Sequence, residues 1–99
     1  MKVKKLPVRW DEMAVESLED IFKIVKQDSL IQAKRIKNTL LSLARSLNDF
    51  PEKYSKEDYL VDEPNNYRSV SKWSYKMVYE VTENEIIIVM LFNPRIVIR

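Results

Sequence analysis

The residue types that this sequence lacks restrict its chemistry. The 99-residue chain has no histidine, no cysteine and no glycine. It therefore lacks the commonest general base, thiolate nucleophiles, zinc–sulfur ligands and the glycine-rich turns that cradle phosphate. Any reaction must depend on Arg, Lys, Tyr, Asp, Glu, Ser or backbone groups. We accordingly expect no metal and no cofactor.

Cations are the most prominent of the remaining groups. The 17 Lys and Arg against 15 Asp and Glu leave a formal net charge of +2, which does not by itself indicate nucleic-acid binding. No acidic residue occurs between Ser29 and Asn48, and this stretch carries Lys34, Arg35, Lys37 and Arg45. Such a basic face suits nucleic acid or an acidic protein. A solvated helix face, balanced by acidic residues elsewhere, is the commoner explanation.

Apolar spacing predicts a strand and then a helix at the start of the chain. The strand covers Val3–Trp10, and Pro7 favours a position at the edge of a sheet. Asp11 is a suitable N-cap, and apolar residues then recur at helical spacing to about Lys26. We therefore predict a first helix between these two residues.

A second helix is predicted after a two-residue connection. Ser29, with Gln32 three residues later, matches a capping box, and an apolar stripe continues to Leu47. Asn48 suits the left-handed position that often ends a helix. The short connection makes the two helices antiparallel neighbours.

The second half of the chain changes to a strand pattern. A polar connection over Phe50–Asn66 precedes strands over Tyr67–Ser71, Tyr75–Val81 and Glu85–Phe92. The last of these is almost continuously apolar, which predicts burial on both faces. We therefore expect an α+β fold, with an N-terminal strand, an antiparallel two-helix hairpin and a three-stranded antiparallel meander forming an antiparallel sheet.

Length and hydropathy predict one domain over residues 1–99. A chain of this length supports one hydrophobic core. No apolar run is long enough for a signal peptide or a membrane span, so we expect a cytoplasmic protein with no membrane partner.

The order of these elements resembles the RelE/ParE toxin superfamily of type II toxin–antitoxin systems. The strands "NYRSV", "YKMVYEV" and "IIIVMLF" resemble the family's arginine-bearing strand, its tyrosine-bounded strand and its apolar strand. The spacings of Ala14 to Leu18 and of Leu47 to Pro51 also agree with the family. Relatives often continue after the last strand with Thr, Arg and Gln-Asn-Pro, whereas this chain has Asn93-Pro94-Arg95 and then departs from the pattern.

The resemblance implies roles for two arginines. Arg68 aligns with the strand arginine that RelE-like nucleases use to hold the scissile phosphate, for which a bidentate guanidinium is suited. Arg95 lies in the family's position after the last strand, and the two together would stabilise a pentavalent phosphorane. A salt-bridged surface arginine and a solubilising charge are the alternative explanations.

Four further residues are candidates for target binding, in addition to Lys34, Arg35 and Lys37 of the basic stretch. Lys53 and Lys56 lie in the long loop near positions where nuclease relatives place lysines, but acidic neighbours weaken a phosphate site. Lys76 stands where relatives often carry Arg, and we expect it to face away from the core. Tyr79 and Tyr75 share a strand face, for which core packing is the commoner role, and Tyr79 is retained as a candidate contact.

Two functions follow from the resemblance. ParE-like members bind and inhibit DNA gyrase, and RelE-like members cut mRNA on the ribosome. The absence of histidine, and of a tyrosine after Arg95, favours the binding toxin, since the nucleases generally use an acid or base there. A degenerate, non-toxic partner-binding module is a third possibility. In each case we expect as partner an acidic, partly disordered antitoxin that folds on this chain, as the apolar residues Ile96, Val97 and Ile98 and the basic second helix indicate.

Overall fold

The computed structural model describes residues 5–57, 60 and 62–94, and this part of the chain forms two helices and one four-stranded sheet. The predicted order of a strand, two helices and three strands is confirmed. The elements are β1 Val8–Trp10, α1 Glu12–Lys26, α2 Leu30–Ser46, β2 Asn66–Lys72, β3 Tyr75–Val81 and β4 Ile86–Phe92.

The sheet is mixed, which corrects the prediction of an antiparallel sheet. Its strand order is β1-β4-β3-β2. The β4-β3-β2 meander is antiparallel as predicted, but β1 pairs with β4 in parallel, with Val8 opposite Ile86 and Trp10 opposite Ile88. The first strand is also shorter than Val3–Trp10, because described residues 5–7 lie outside it. Local periodicity locates a strand but does not identify a partner so distant in sequence.

The helix starts agree with the predicted caps, whereas the predicted end of α2 does not. The Ser29 hydroxyl accepts the backbone N–H of Gln32 at 3.1 Å, which satisfies one of the free donors of the first turn of α2. Asp11 has the extended N-cap conformation, without a side-chain cap bond. Asn48 is not left-handed, because Trp73 alone among the described non-glycine residues has a positive φ.

A β-bulge in β4 sets which apolar residues face the helices. Val78 pairs with Met90 and Tyr79 with Ile88, so Val89 has no partner in β3. The extra residue reverses the alternation along β4. Ile88 and Leu91 are therefore both buried, while Met90 is 47% exposed. The prediction that this strand is buried on both faces is wrong.

The core lies between the helices and one face of the sheet. The helices contribute small and branched side chains, and the strands contribute larger ones. The buried members are Ala14, Leu18, Leu40, Ala44, Leu47, Val70, Met77, Tyr79, Ile86, Ile88 and Leu91. No helix in the described residues is long and apolar enough to cross a membrane.

Candidate functional site

Residues 51–57, which we call the wrapping segment, run along the edge of the sheet at β2. Ser55 accepts the N–H of Ser69 at 3.1 Å through its carbonyl, and the N–H of Glu57 donates to the Tyr67 carbonyl at 3.0 Å. These bonds pair the segment with β2 in the manner of a short extra strand. An edge strand with unpaired backbone groups invites association, so this segment covers part of β2.

Arg68 holds the start of this wrapping segment. Its Nη1 donates to the Tyr54 carbonyl at 2.7 Å and to the Glu52 carbonyl at 3.3 Å, and its Nε donates to Asn66 Oδ1 at 3.1 Å. Its Nη2 lies 3.6 Å from the Glu52 carboxylate, and only 15% of its side chain is exposed. The guanidinium therefore bonds to backbone and side-chain oxygens of its own loop. Its predicted contact with phosphate stays a prediction.

Tyr79 lies opposite Arg68 and holds the same segment from the core side. It is fully buried, and its hydroxyl donates to the Pro51 carbonyl at 2.8 Å. Loss of solvation raises the pKa of Tyr79 to about 12, against the opposing effect of the Arg68 charge. Tyr79 thus has the packing role that its strand position favours, and the predicted target contact stays untested.

Lys76 faces away from the helices, as its alternation with Met77 predicts. Its ammonium lies 2.6 Å from Oε1 of Glu57, which is only 2% exposed. Phe92, the cross-strand neighbour of Lys76, lines a small apolar cavity on this outer face together with Glu57. The lysine is therefore part of an internal ion pair.

Lys53 and Lys56 both lie in the wrapping segment, but their side chains differ in their contacts. The ammonium of Lys53 lies over the ring of Tyr54, 5.2 Å from its centroid. Lys56 is exposed, and its backbone forms the bridge opposite Arg68. Both retain surface positions from which a partner could be contacted.

The cations of α2 form a separate group. Lys34 and Arg35 are exposed, whereas the ammonium of Lys37 lies over the ring of Phe22, 5.2 Å from its centroid. Arg35 lines a groove with the β2–β3 hairpin. The candidate residues therefore lie in three regions: the wrapping segment around Arg68, the outer face at Lys76, and the part of α2 that carries Lys34, Arg35 and Lys37. The predicted residues Arg95, Ile96, Val97 and Ile98 lie outside the described residues.

Sequence reasoning missed two residues. Glu57 gives no sign of burial, since it lies in a polar stretch and its partner is distant in sequence. Trp73 lies between two predicted strands, where the strand pattern predicts nothing for it, and it is a half-exposed aromatic residue with a positive φ. An aromatic residue in a turn without glycine was the available signal for the second.

Comparison with known proteins identifies the family. Residues 8–95 match the sequence profile of the ParE toxin of the parDE type II toxin–antitoxin system. The chain belongs to the ParE toxin family. The predicted membership of the RelE/ParE superfamily is thereby confirmed, and membership in ParE implies an antitoxin partner.

A solved structure agrees with the ParE fold. A chain titled "Chromosomal ParDE TA system from P. aeruginosa" superposes with a TM-score of 0.72 at 15% sequence identity. The match covers 90% of the present chain and 96% of that one. No curated protein sequence matches the chain. The structural likeness supports the α+β architecture of a ParE toxin, including the two helices and the four-stranded sheet.

Proposed function

We propose that this ParE-family toxin acts in the cytoplasm by binding an essential protein target, with DNA gyrase as the candidate. The observation that carries the proposal is that Arg68 is largely buried and already hydrogen-bonded within the chain. Its guanidinium is largely covered, and it bonds to the Glu52 and Tyr54 carbonyls. A scissile phosphate would have to displace these oxygens. A binding toxin has no such requirement.

The carboxylate beside Arg68 belongs to Glu52, which lies 3.6 Å from Nη2 and pairs with the guanidinium. Tyr79, opposite Arg68, keeps its proton at neutral pH because burial raises its pKa to about 12, so it does not serve as a general base. Its hydroxyl is bonded to Pro51. These features support target binding over RNA cleavage.

A pair of assays with purified components tests the proposal. The purified toxin is added to gyrase with relaxed plasmid and, separately, to ribosomes translating a defined mRNA. We expect loss of supercoiling and an intact message, because the toxin would engage gyrase and leave RNA uncut. Addition of the cognate antitoxin is the control and should restore supercoiling.

The reverse result would contradict the proposal. Message cut at the ribosomal A site, with normal supercoiling, would assign the chain to the RelE-like nucleases. Normal results in both assays would favour a module that retains its antitoxin but has lost its target.

A further inference from the structure

Trp73 occupies a backbone position that disfavours it. The β2–β3 hairpin closes through Trp73 and Ser74, between the paired residues Lys72 and Tyr75. Trp73 has φ 55°, a left-handed value that is usual for Gly, Asn or Asp in such turns. For a bulky residue this conformation is energetically unfavourable. The local backbone therefore does not explain why tryptophan stands here.

Core packing does not explain Trp73 either. The residue is 51% exposed at the tip of the hairpin. One neighbour is a cation, because the ammonium of Lys72 lies 5.3 Å from the centroid of its ring. Strained, exposed aromatic residues are concentrated at sites of contact with other molecules. We therefore expect Trp73 to contact another molecule.

Trp73 forms one wall of a groove whose other wall is the N-terminal part of α2. We call this the hairpin groove, and it is lined by Gln32, Arg35, Ile36, Trp73, Ser74 and Tyr75. No carboxylate is among these lining residues, and α2 contains no acidic residue. The ammonium of Lys72, which lies 5.3 Å from the centroid of the Trp73 ring, adds positive charge beside it. The groove thus combines the indole of Trp73 with the cationic side chains of Arg35 and Lys72.

We propose that the hairpin groove binds an acidic segment of the toxin's protein target, and this rests on the proposed function. An apolar side chain of that segment packs on the indole of Trp73, and a carboxylate pairs with the guanidinium of Arg35. Tryptophan and arginine are the residues most enriched among energetically dominant interface contacts. Charge complementarity favours an acidic partner and steers its approach.

A nucleic acid is the less favoured occupant. Stacking on Trp73 beside cations would also suit a single strand. A strand, however, requires a row of cations that follows its backbone, and the groove lining itself contains one arginine. The net charge of the chain is only +2. The test below separates the two occupants.

The experiment uses the full chain and four variants. Trp73→Asn and Arg35→Glu alter the groove. Arg45→Glu is the matched charge control on α2, and Phe50→Ala removes an aromatic residue that is 71% exposed away from the groove. Binding to gyrase holoenzyme is measured by surface plasmon resonance, and thermal unfolding of each variant is followed by circular dichroism.

We expect both groove variants to bind gyrase at least tenfold more weakly, with near wild-type affinity in both controls. Trp73→Asn should unfold at the same or a higher temperature, because asparagine tolerates the left-handed conformation. Weaker binding by a variant that is no less stable cannot be attributed to misfolding.

Three outcomes would overturn the proposal. Unchanged gyrase binding by Trp73→Asn would remove the indole from the interface. An equal loss in Arg45→Glu would indicate diffuse attraction to α2 in place of a defined groove. Binding of an oligothymidylate that depends on Trp73 as strongly as gyrase binding does would assign the groove to nucleic acid.

Failure of the proposed function gives a different result. If the wild-type chain does not bind gyrase, the groove is judged by growth arrest after induction in cells. Trp73→Asn and Arg35→Glu should then abolish arrest, while Arg45→Glu and Phe50→Ala retain it. Arrest by both groove variants would refute the role of the groove, whatever the target.

Discussion

At the scale of single residues, Arg68 and Tyr79 act together on one stretch of backbone. They lie opposite each other on β2 and β3, and between them they bond to the carbonyls of Pro51, Glu52 and Tyr54. Backbone carbonyls in a connecting segment need partners when they leave water. The two side chains supply those partners, so the sheet fixes the path of the segment.

Replacement of Arg68 by alanine should loosen that segment. We expect a loss of about 2 kcal/mol in the free energy of unfolding, because several carbonyl and amide oxygens lose a charged donor. Urea denaturation measures the loss, and hydrogen exchange should show faster exchange of the Ser69 amide. Arg9→Ala removes an exposed arginine paired with Glu85 and is the control, with a smaller expected effect. Equal losses in the two variants would argue against an anchoring role for Arg68.

Tyr79 should make stability fall in alkaline solution. Burial raises its pKa from 10.0 to about 12, so the unfolded chain releases this proton at lower pH than the folded one. The contribution is present below pH 10 and is lost as pH rises through about 12.

The variant Tyr79→Phe tests this dependence. It should lose about 1 kcal/mol at neutral pH, since the Pro51 carbonyl loses its donor. Its free energy of unfolding should then decline less steeply than that of the wild type between pH 10 and 12. Parallel curves for the two proteins over this range would refute the assignment of the shifted pKa to Tyr79.

At the scale of the elements, the bulge in β4 decides which residue enters the core. Simple alternation from Ile86 and Ile88 would place Met90 inside, but the unpaired Val89 turns Leu91 inward. Leu91→Ala should therefore cost about 3 kcal/mol, as a buried large-to-small replacement does. Met90→Ala should cost about 1 kcal/mol or less. Chemical denaturation compares them, and the opposite ranking would contradict the bulged register.

The ion pair between Glu57 and Lys76 connects the wrapping segment to the outer face of β3. Lys76→Ala should cost about 3 kcal/mol, because it leaves a carboxylate buried without this cation. A double variant that also carries Glu57→Gln should recover part of the loss, since the uncompensated charge is then removed. Thermal and urea unfolding measure both. Additive losses in the double variant would show that the pair is not coupled.

The sequence allowed the elements to be predicted where local rules act. The cap at Ser29 and the apolar spacing of the helices depend on neighbouring residues, and both are found in the structure. The parallel pairing of β1 and the bulge at Val89 depend on distant segments, which a local pattern does not reveal. The same reason explains why the burial of Glu57 was missed.

At the scale of the whole molecule, the candidate residues divide into three regions. Arg68 and Tyr79 hold the wrapping segment, Lys76 lies on the outer face of the sheet, and Arg35 of α2 lines the hairpin groove. The sequence predicted the basic helix and the arginine strand, but not that the groove joins α2 to the turn containing Trp73. That contact exists only once the helices have packed on the sheet.

The parallel pairing of β1 with β4 also affects how the protein folds during its synthesis. β1 cannot form its pairing in the described sheet until residues 86–92 have been synthesised, because β4 is its neighbour in the strand order. Until then the nascent polypeptide lacks β4, which lies between β1 and β3 in the sheet. The core and the hairpin groove are therefore incomplete. Contacts between such distant segments form late and slowly. Synthesis of β4 therefore limits when the described sheet and its core can be completed during translation.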